Sequence, residues 1–562
     1  MGYLIEISSD NTVKIETDFE YLRKGSCTLY YQGLNKNVAQ NVIKAYVADN
    51  LTSYLNEGDF DNFVFFIKNE EKGRFAIYND HFGSKEIFYK KDKDRNCVFV
   101  TDSVFTLPKE MLNISTQNLY EFFVFQNVLP PDTVYDGISC LPGGSYLSIC
   151  EDKIEIVEYW DMDSLLNGKL ESYPELIKLG DEALKESLTK NCGDSVAVAL
   201  SGGVDSGGLL GMCVSKLKIK PITISVGGKG PQTIDLLSAR KSAKYHNVEQ
   251  HELYPSFDDM KDMWGNSVGL SQPVQAAASF AYSLINKKAE QAQADTVVYG
   301  FGAEMVLGNG MKLSKIANQL RYEKYIPDPI LRVLYKIIGS MVAGSENRRR
   351  FLLASNDWVS RFMIVRSAYY PWTKKYMTKE SSAFMNHVRD KVAVQFSDNL
   401  SIYDALVRLY VKSWVNYMQY RDMNAIARRY KVKPVIPFDS LRLVKVFFRL
   451  PVKHRKRNNW NKQLIRDIFK PYTPEHLYDN IARSIGVPYT EIFGAHFEEV
   501  LHYVEGSTLL SSLYDFNLLK KHLKHEPEPG FFLMFLFGVA VWYDANFYPE
   551  RELEFQRLFD SN

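Results

Sequence analysis

The chain has 562 residues, room for about four average domains or fewer large ones, and its 46% hydrophobic and 24% charged residues are the balance of a globular protein. Lys and Arg number 68 against 67 Asp and Glu, a net charge of +1, so no global field draws nucleic acid or an anionic membrane. Aromatic residues at 14% exclude a disordered chain. Six cysteines (Cys27, Cys97, Cys140, Cys150, Cys192, Cys213) lack C-x-x-C spacing, which argues against a structural zinc site and a disulfide scaffold.

In chain order, Met1-Gly2-Tyr3-Leu4-Ile5-Glu6 is acidic by its sixth position and reads as a strand, not a signal peptide. Short strands are predicted at Phe63–Ile67, Arg74–Tyr78, Glu86–Tyr89, Val98–Val100, Gly144–Ile149 and Lys153–Tyr159. Turn signals between them indicate a layered, largely antiparallel β unit over residues 1–165. The polar stretch Asp163–Pro174 reads as a linker, and a second unit is expected over 175–562. There the period changes: helix Glu175–Thr189, strand Ser195–Leu200, a glycine-rich turn, a helix through Leu217, strand Pro221–Val226, helix Leu236–Tyr245 and strand Thr296–Tyr299. Such alternation implies right-handed crossovers and a parallel sheet. Beyond Leu313 the pattern is helical. The apolar run Phe531–Tyr543 has 13 residues, short of the roughly 20 that span a bilayer, and reads as a buried helix. A cytoplasmic protein without a membrane span is expected.

The chemistry concentrates in Ser201-Gly202-Gly203-Val204-Asp205-Ser206, between a buried strand and a helix. Two glycines let the backbone turn tightly and present N–H groups, the serines add hydroxyls, and the helix contributes its positive end. This is a cradle for an anion such as pyrophosphate. It lacks the G-x-x-x-x-G-K-[ST] pattern of a Walker A loop. Asp205 would repel phosphate unless a divalent cation lay between them, which implies Mg²⁺.

The hexapeptide resembles the pyrophosphate loop of the N-type ATP pyrophosphatases, and the remaining motifs are similar to those of the asparagine synthetase superfamily. Asp80-His81-Phe82-Gly83-Ser84-Lys85-Glu86-Ile87-Phe88-Tyr89 resembles its D-x-x-G-x-x-P-L-Y-Y hairpin. Gly137–Gly144 with Tyr159-Trp160-Asp161 resembles the end of its first domain, Pro434–Asp439 its R-x-P-F-L-D segment, and Trp460–Arg466 its W-x-K-x-L-L-R helix. The resemblance implies a degenerate, β-rich, Ntn-hydrolase-like sandwich, then a parallel-sheet ATP-pyrophosphatase domain with a helical C-terminal extension. ATP and Mg²⁺ are the implied ligands. Ser201–Ser206, Gly302 and Arg466 would hold the nucleotide, Asp205 and Glu304 the metal, and Lys462 and Arg483 would act on the adenylate and pyrophosphate. Ser484 aligns with the family's lysine as well as Arg483 does.

Three departures redirect the reading. Gly2 stands where the family's glutaminases carry a nucleophilic cysteine, and no R-G-P-D or N-G-E segment is present. Glu304 replaces a metal-binding Asp. Phe301 occupies the position of a catalytic Glu in asparagine synthetases and a Tyr in β-lactam synthetases, and cannot handle a proton. The expected activity is an AMP-forming amide ligase without glutaminase activity, resembling β-lactam synthetases and, most closely, lasso-peptide macrolactam cyclases. Its substrate would be a small molecule or peptide carrying a carboxylate and an amine, with a precursor peptide and a leader peptidase as partners. The alternatives are an ammonia-dependent amidotransferase acting on a small acid, and an inactive binding scaffold.

Overall fold

The computed structural model describes residues 2–8, 12–58, 60–150, 153–165, 171–228, 234–274, 276–303, 381–393, 402–412, 420–450, 463–479, 487–523 and 529–560, with isolated residues from 325 to 377 and from 456 to 461. The N-terminal half contains β1 (Leu4–Ser8), β2 (Val13–Glu16), β3 (Glu20–Lys24), β4 (Cys27–Gln32), α1 (Lys36–Val47), α2 (Leu51–Glu57), β5 (Val64–Asn69), β6 (Arg74–Asn79), β7 (Phe88–Asp92), β8 (Cys97–Thr101), α3 (Thr116–Phe125), β9 (Ser139–Cys140), β10 (Ser145–Cys150) and β11 (Lys153–Glu158). They form two antiparallel sheets, ordered β2-β1-β8-β7-β9 and β11-β10-β6-β5-β4-β3. Ile5, Ile7, Val98 and Val100 of the first meet Val64, Phe66, Ile77 and Leu147 of the second between the layers. The opposite face of β5 (Phe65, Ile67) packs with Val42 and Ile43 of α1. A strand covered on both faces has no polar side, which explains its unbroken apolar run.

The sandwich also holds helices that strand periodicity conceals. Asn35 caps α1 by accepting from the Val38 N–H at 2.9 Å, and Ser115 caps α3 from Asn118 at 3.4 Å. Both helices lie where the sequence reads only as strands and turns.

The second half begins with α4 (Tyr173–Asn191), followed by β12 (Val196–Ala199), α5 (Val204–Ser215), β13 (Ile222–Val226), α6 (Ile234–His246), β14 (Gln250–Leu253), α7 (Asp262–Ser267), α8 (Ala276–Gln291) and β15 (Thr296–Tyr299). A fifth strand, β16 (Lys433–Val435), arrives from deep within the region expected to be almost wholly helical. Its Pro434 is tolerated because β16 is an edge strand. The parallel order is β14-β13-β12-β15-β16. From β12 the chain winds outward through β13 and β14, then returns to β12's other side as β15. A crevice opens at such a reversal, beyond the carboxyl ends of the strands. The apolar C-terminal helix spans Pro529–Phe547, longer than the run read from sequence. It is long and apolar enough to cross a bilayer, but its 18-residue core window is 78% buried within the fold.

One hydrophobic core crosses the boundary between the halves, holding Phe63, Phe65 and Tyr78 together with Leu441, Val444 and Phe447. Ion pairs border it: Arg408 bonds Asp161 and Asp163 at 2.9 Å each, and Lys391 pairs with Glu121 at 2.7 Å and Asp132 at 2.9 Å. Backbone is fastened too, the Leu441 N–H donating to Asp61 Oδ1 at 2.9 Å.

His81 is enclosed near this seam. Its Nε2 lies 3.1 Å from the Leu55 carbonyl, and its ring stands edge-on to Trp160 at 5.2 Å. Burial lowers its pKa to about 4 from the usual 6.5. The unfolded chain therefore takes up this proton first as pH falls. The contribution is complete above pH 6.5 and is lost as pH drops through 4, on the order of 3 kcal/mol in all and about 2 kcal/mol by pH 5. Urea unfolding at pH 7 and pH 5 should show this loss in the wild type and much less of it in His81→Gln. Equal pH dependence in both proteins would refute the assignment.

Candidate functional site

At the carboxyl end of β12 the chain enters the loop Ser201–Gly203 and then α5. Gly202 has φ +78°, and a Cβ there would lie 2.1 Å from the Asp235 carbonyl, so glycine is required on both counts. The loop closes on its own serines: Ser206 Oγ accepts from the Ser201 N–H at 3.1 Å and lies 3.0 Å from Ser201 Oγ. Ser238 Oγ tethers the Gly202 carbonyl at 2.7 Å. Gly203 caps α5 without a side chain, and the first helical bond runs from Gly207 N to Gly203 O. The N–H groups of the first turn have no acceptor within the helix and stand at the carboxyl end of β12, where the sheet reverses, with the helix dipole behind them.

Sequence reasoning passed over the next glycines. Within α5, a Cβ at Gly207 would meet Leu477 at 2.5 Å, one at Gly208 would meet Phe469 at 2.1 Å, and one at Gly211 would meet the Tyr472 carbonyl at 2.3 Å. Each glycine costs the helix about 1 kcal/mol relative to alanine. Three in one helix are a readable sign that another segment packs closely against it. That segment is the helix Gln463–Phe469 with the turns after it, pinned also by His476 Nε2, 3.0 Å from the Ser238 carbonyl.

This close packing sets Arg466 within electrostatic range of Asp205. Burial lowers the Arg466 pKa, and the Asp205 charge opposes that shift. Arg466 Nη1 donates to the Leu477 carbonyl at 3.4 Å, and the guanidinium lies 5.9 Å from the Tyr478 ring centre. A half-buried cation thus stands across from a carboxylate at an anion-ready helix end.

The loop after β15 forms the neighbouring wall. A Cβ at Gly300 would lie 2.7 Å from Ser206 N, so glycine alone permits the approach of the two loops. Gly302 has φ +91° and backs onto Tyr420, Phe438 and Ile436. The Phe301 ring meets Tyr420 edge-on at 5.8 Å, an apolar contact with no proton to exchange. Of the residues singled out from sequence, Ser201–Ser206, the loop that carries Gly302, and Arg466 are brought together at this end of the sheet. Glu304, Lys462 and Arg483 lie outside the described residues.

The first half offers no comparable centre at Gly2. A Cβ there would lie 2.4 Å from Asp102 Oδ1, the atom that accepts the Tyr3 N–H at 3.1 Å. A side chain at position 2 would have to displace the Asp102 carboxylate.

A parallel sheet with S-G-G-V-D-S at its reversal point, preceded by a two-layer antiparallel sandwich, defines an ATP-pyrophosphatase α/β fold joined to a glutaminase-like domain. The asparagine synthase family matches residues 180–526, more than half the chain, and a glutamine amidotransferase domain matches residues 53–160. The chain belongs to the asparagine synthase family. No curated protein matches it. Among solved structures, it is similar to an NH3-dependent NAD synthetase from Campylobacter jejuni, with 16% identity and a TM-score of 0.19 over 25% of this chain and 61% of the other. An NMN synthetase from Francisella tularensis shows 17% identity and a TM-score of 0.19 over 25% and 59%. A U34-tRNA thiolase from Methanococcus maripaludis shows 16% identity and a TM-score of 0.20 over 42% and 78%. The chain spans about three fifths of the length of the first two.

Proposed function

We propose that this protein is an ATP-dependent ligase that adenylates a substrate carboxylate and then forms an amide, in the manner of a peptide macrolactam cyclase. The observation that carries the reading is the S-G-G-V-D-S loop at the sheet's reversal point with Arg466 facing Asp205. The carboxylate oxygen attacks the α-phosphorus of ATP, the bond to the β-phosphate oxygen breaks, and pyrophosphate departs. An amine then attacks the acyl carbon, loses a proton, and AMP leaves. The α5 end and the loop N–H groups would hold the pyrophosphate, and Arg466 would balance its charge. Mg²⁺ held by Asp205 would neutralise the phosphates.

Phe301 supplies no base, which favours an amine tethered to the same molecule. Alignment of a tethered amine lowers the barrier by about 7–11 kcal/mol, against the roughly 3–5 kcal/mol of a general base. A precursor peptide, trimmed by a leader peptidase, fits that requirement. The asparagine synthase match at 180–526 favours a second reading, ammonia-dependent amidation of a small acid.

ATP–pyrophosphate exchange across a panel of acids and linear peptides tests the proposal. Exchange with a peptide carboxylate supports the cyclase, exchange with a small acid supports the second reading, and no exchange with any probe rejects both. Incubation with glutamine and ATP should release no glutamate above a no-enzyme control. Gly2→Cys should not restore release, because the R-G-P-D and N-G-E segments that bind glutamine are also missing. Release surviving Cys27→Ala would refute this.

A further inference from the structure

Ser238 of α6 is hydrogen-bonded at both of its polar ends. Its buried hydroxyl donates to the Gly202 carbonyl at 2.7 Å. Gly202 is the turning point of the anion loop, at φ +78°, so this bond sets the direction of the N–H groups that follow it. The Ser238 carbonyl lies 3.0 Å from His476 Nε2. A carbonyl only accepts, so Nε2 carries the proton and donates it. Ser242 Oγ, one helical turn further along α6, stands 3.4 Å from the same nitrogen.

His476 opens the short helical turn His476–Asp479, and the next two residues are the ones that hold Arg466. The Leu477 carbonyl accepts from Arg466 Nη1 at 3.4 Å. The Tyr478 ring centre lies 5.9 Å from the guanidinium, and its hydroxyl lies 3.2 Å from the Arg466 carbonyl and 2.6 Å from Thr473 Oγ. A continuous path therefore runs from Gly202 through Ser238 and His476 to Arg466. The Leu477 side chain also packs on the bare face at Gly207, where a Cβ would lie 2.5 Å from it. That apolar contact fixes how near the segments come, but it is non-directional and leaves the turn free to rotate. The imidazole hydrogen bond supplies the direction.

We propose that His476 is a positioning residue of the anion site: its bond to Ser238 keeps Arg466 in register with the Gly202 turn, so that the loop N–H groups and the guanidinium act on the same pyrophosphate. The inference rests on the reading of this loop as a pyrophosphate cradle. His476 itself touches no phosphate and acts through Arg466. A misplacement of about 1 Å in such a group is enough to matter.

The test uses the full chain and inorganic pyrophosphate with Mg²⁺, titrated by calorimetry, and so needs neither substrate nor turnover. His476→Leu should weaken binding about tenfold, the scale of one hydrogen bond. Arg466→Met should weaken it by as much or more. The double variant should bind like Arg466→Met alone, because once the guanidinium is gone there is nothing left to position. His476→Gln, whose amide N–H can stand in the place of Nε2–H, should recover most of the affinity. If His476→Leu fails to fold, His476→Asn, polar but too short to reach Ser238, replaces it with the same expected loss. A wild type that binds no pyrophosphate would overturn the reading of the loop and this proposal together. If Arg466→Met weakens binding while the His476 variants bind like wild type, the cradle stands and the positioning role is overturned. An equal loss from His476→Leu with and without Arg466 would overturn it as well, since that is the mark of a general structural effect.

Discussion

Asp205→Ala should lose ATP binding only when Mg²⁺ is present. In the first turn of α5 a carboxylate is favoured by the helix dipole and by Arg466, each a modest effect of about 1 kcal/mol or less. Removing it should therefore barely change folding stability. Binding is another matter, because a triphosphate brought beside Asp205 meets a like charge. With Mg²⁺ between them the repulsion becomes two metal contacts, and losing the protein's ligand should cost about a hundredfold in affinity, near 2.7 kcal/mol. With chelator the sign reverses: the variant should bind a non-hydrolysable ATP analogue as well as the wild type or better, since only repulsion has been deleted. Calorimetric titrations in Mg²⁺ and in EDTA make the comparison. A variant weakened equally in both would show that Asp205 shapes the loop and holds no metal.

Arg466→Met should slow pyrophosphate release in a single-turnover assay by about 10²–10³-fold, the usual cost of deleting one preorganised donor at a developing negative charge. The side chain is partly buried, and its contact with the Leu477 carbonyl and the Tyr478 ring fixes its direction before substrate arrives. Arg466→Lys keeps the charge but loses the planar fork, and should recover only part of the rate. Phe301→Tyr should leave release nearly unchanged, because ring 301 packs on Tyr420 and takes no part in phosphate chemistry in this reading. If Arg466→Met released pyrophosphate at the wild-type rate, the guanidinium would be a structural prop for Tyr478, and charge balance would fall to other cations.

These two residues were legible in the sequence to different degrees. Asp205 stands inside a hexapeptide whose chemistry is local: glycine freedom, hydroxyls and a helix start all occur within six positions. Arg466 was legible only through the resemblance of its helix, since a lone Arg beside Lys462 on one helix face is as consistent with a solvated surface. What brings Arg466 to Asp205 is the bare face of Gly207, Gly208 and Gly211, which admits a segment about 260 residues downstream.

The sequence by itself determined the change of period near residue 175, the strand–loop–helix that cradles an anion, and the lack of a nucleophile at Gly2, because each is written in neighbouring residues. It did not reveal α1 and α3 inside the sandwich, where short amphipathic helices lie between strands and only single caps betray them. Nor did it place β16, whose three residues, Pro434 among them, carry no strand signal of their own. Only the tertiary structure decided that the sheet reverses at β12, that one core joins both halves, and that His476 reaches the serine that tethers Gly202. Those facts rest on contacts between residues hundreds of positions apart. Side-chain periodicity and turn chemistry act over a few residues, so they set the elements, while the burial of shared apolar faces chose their neighbours.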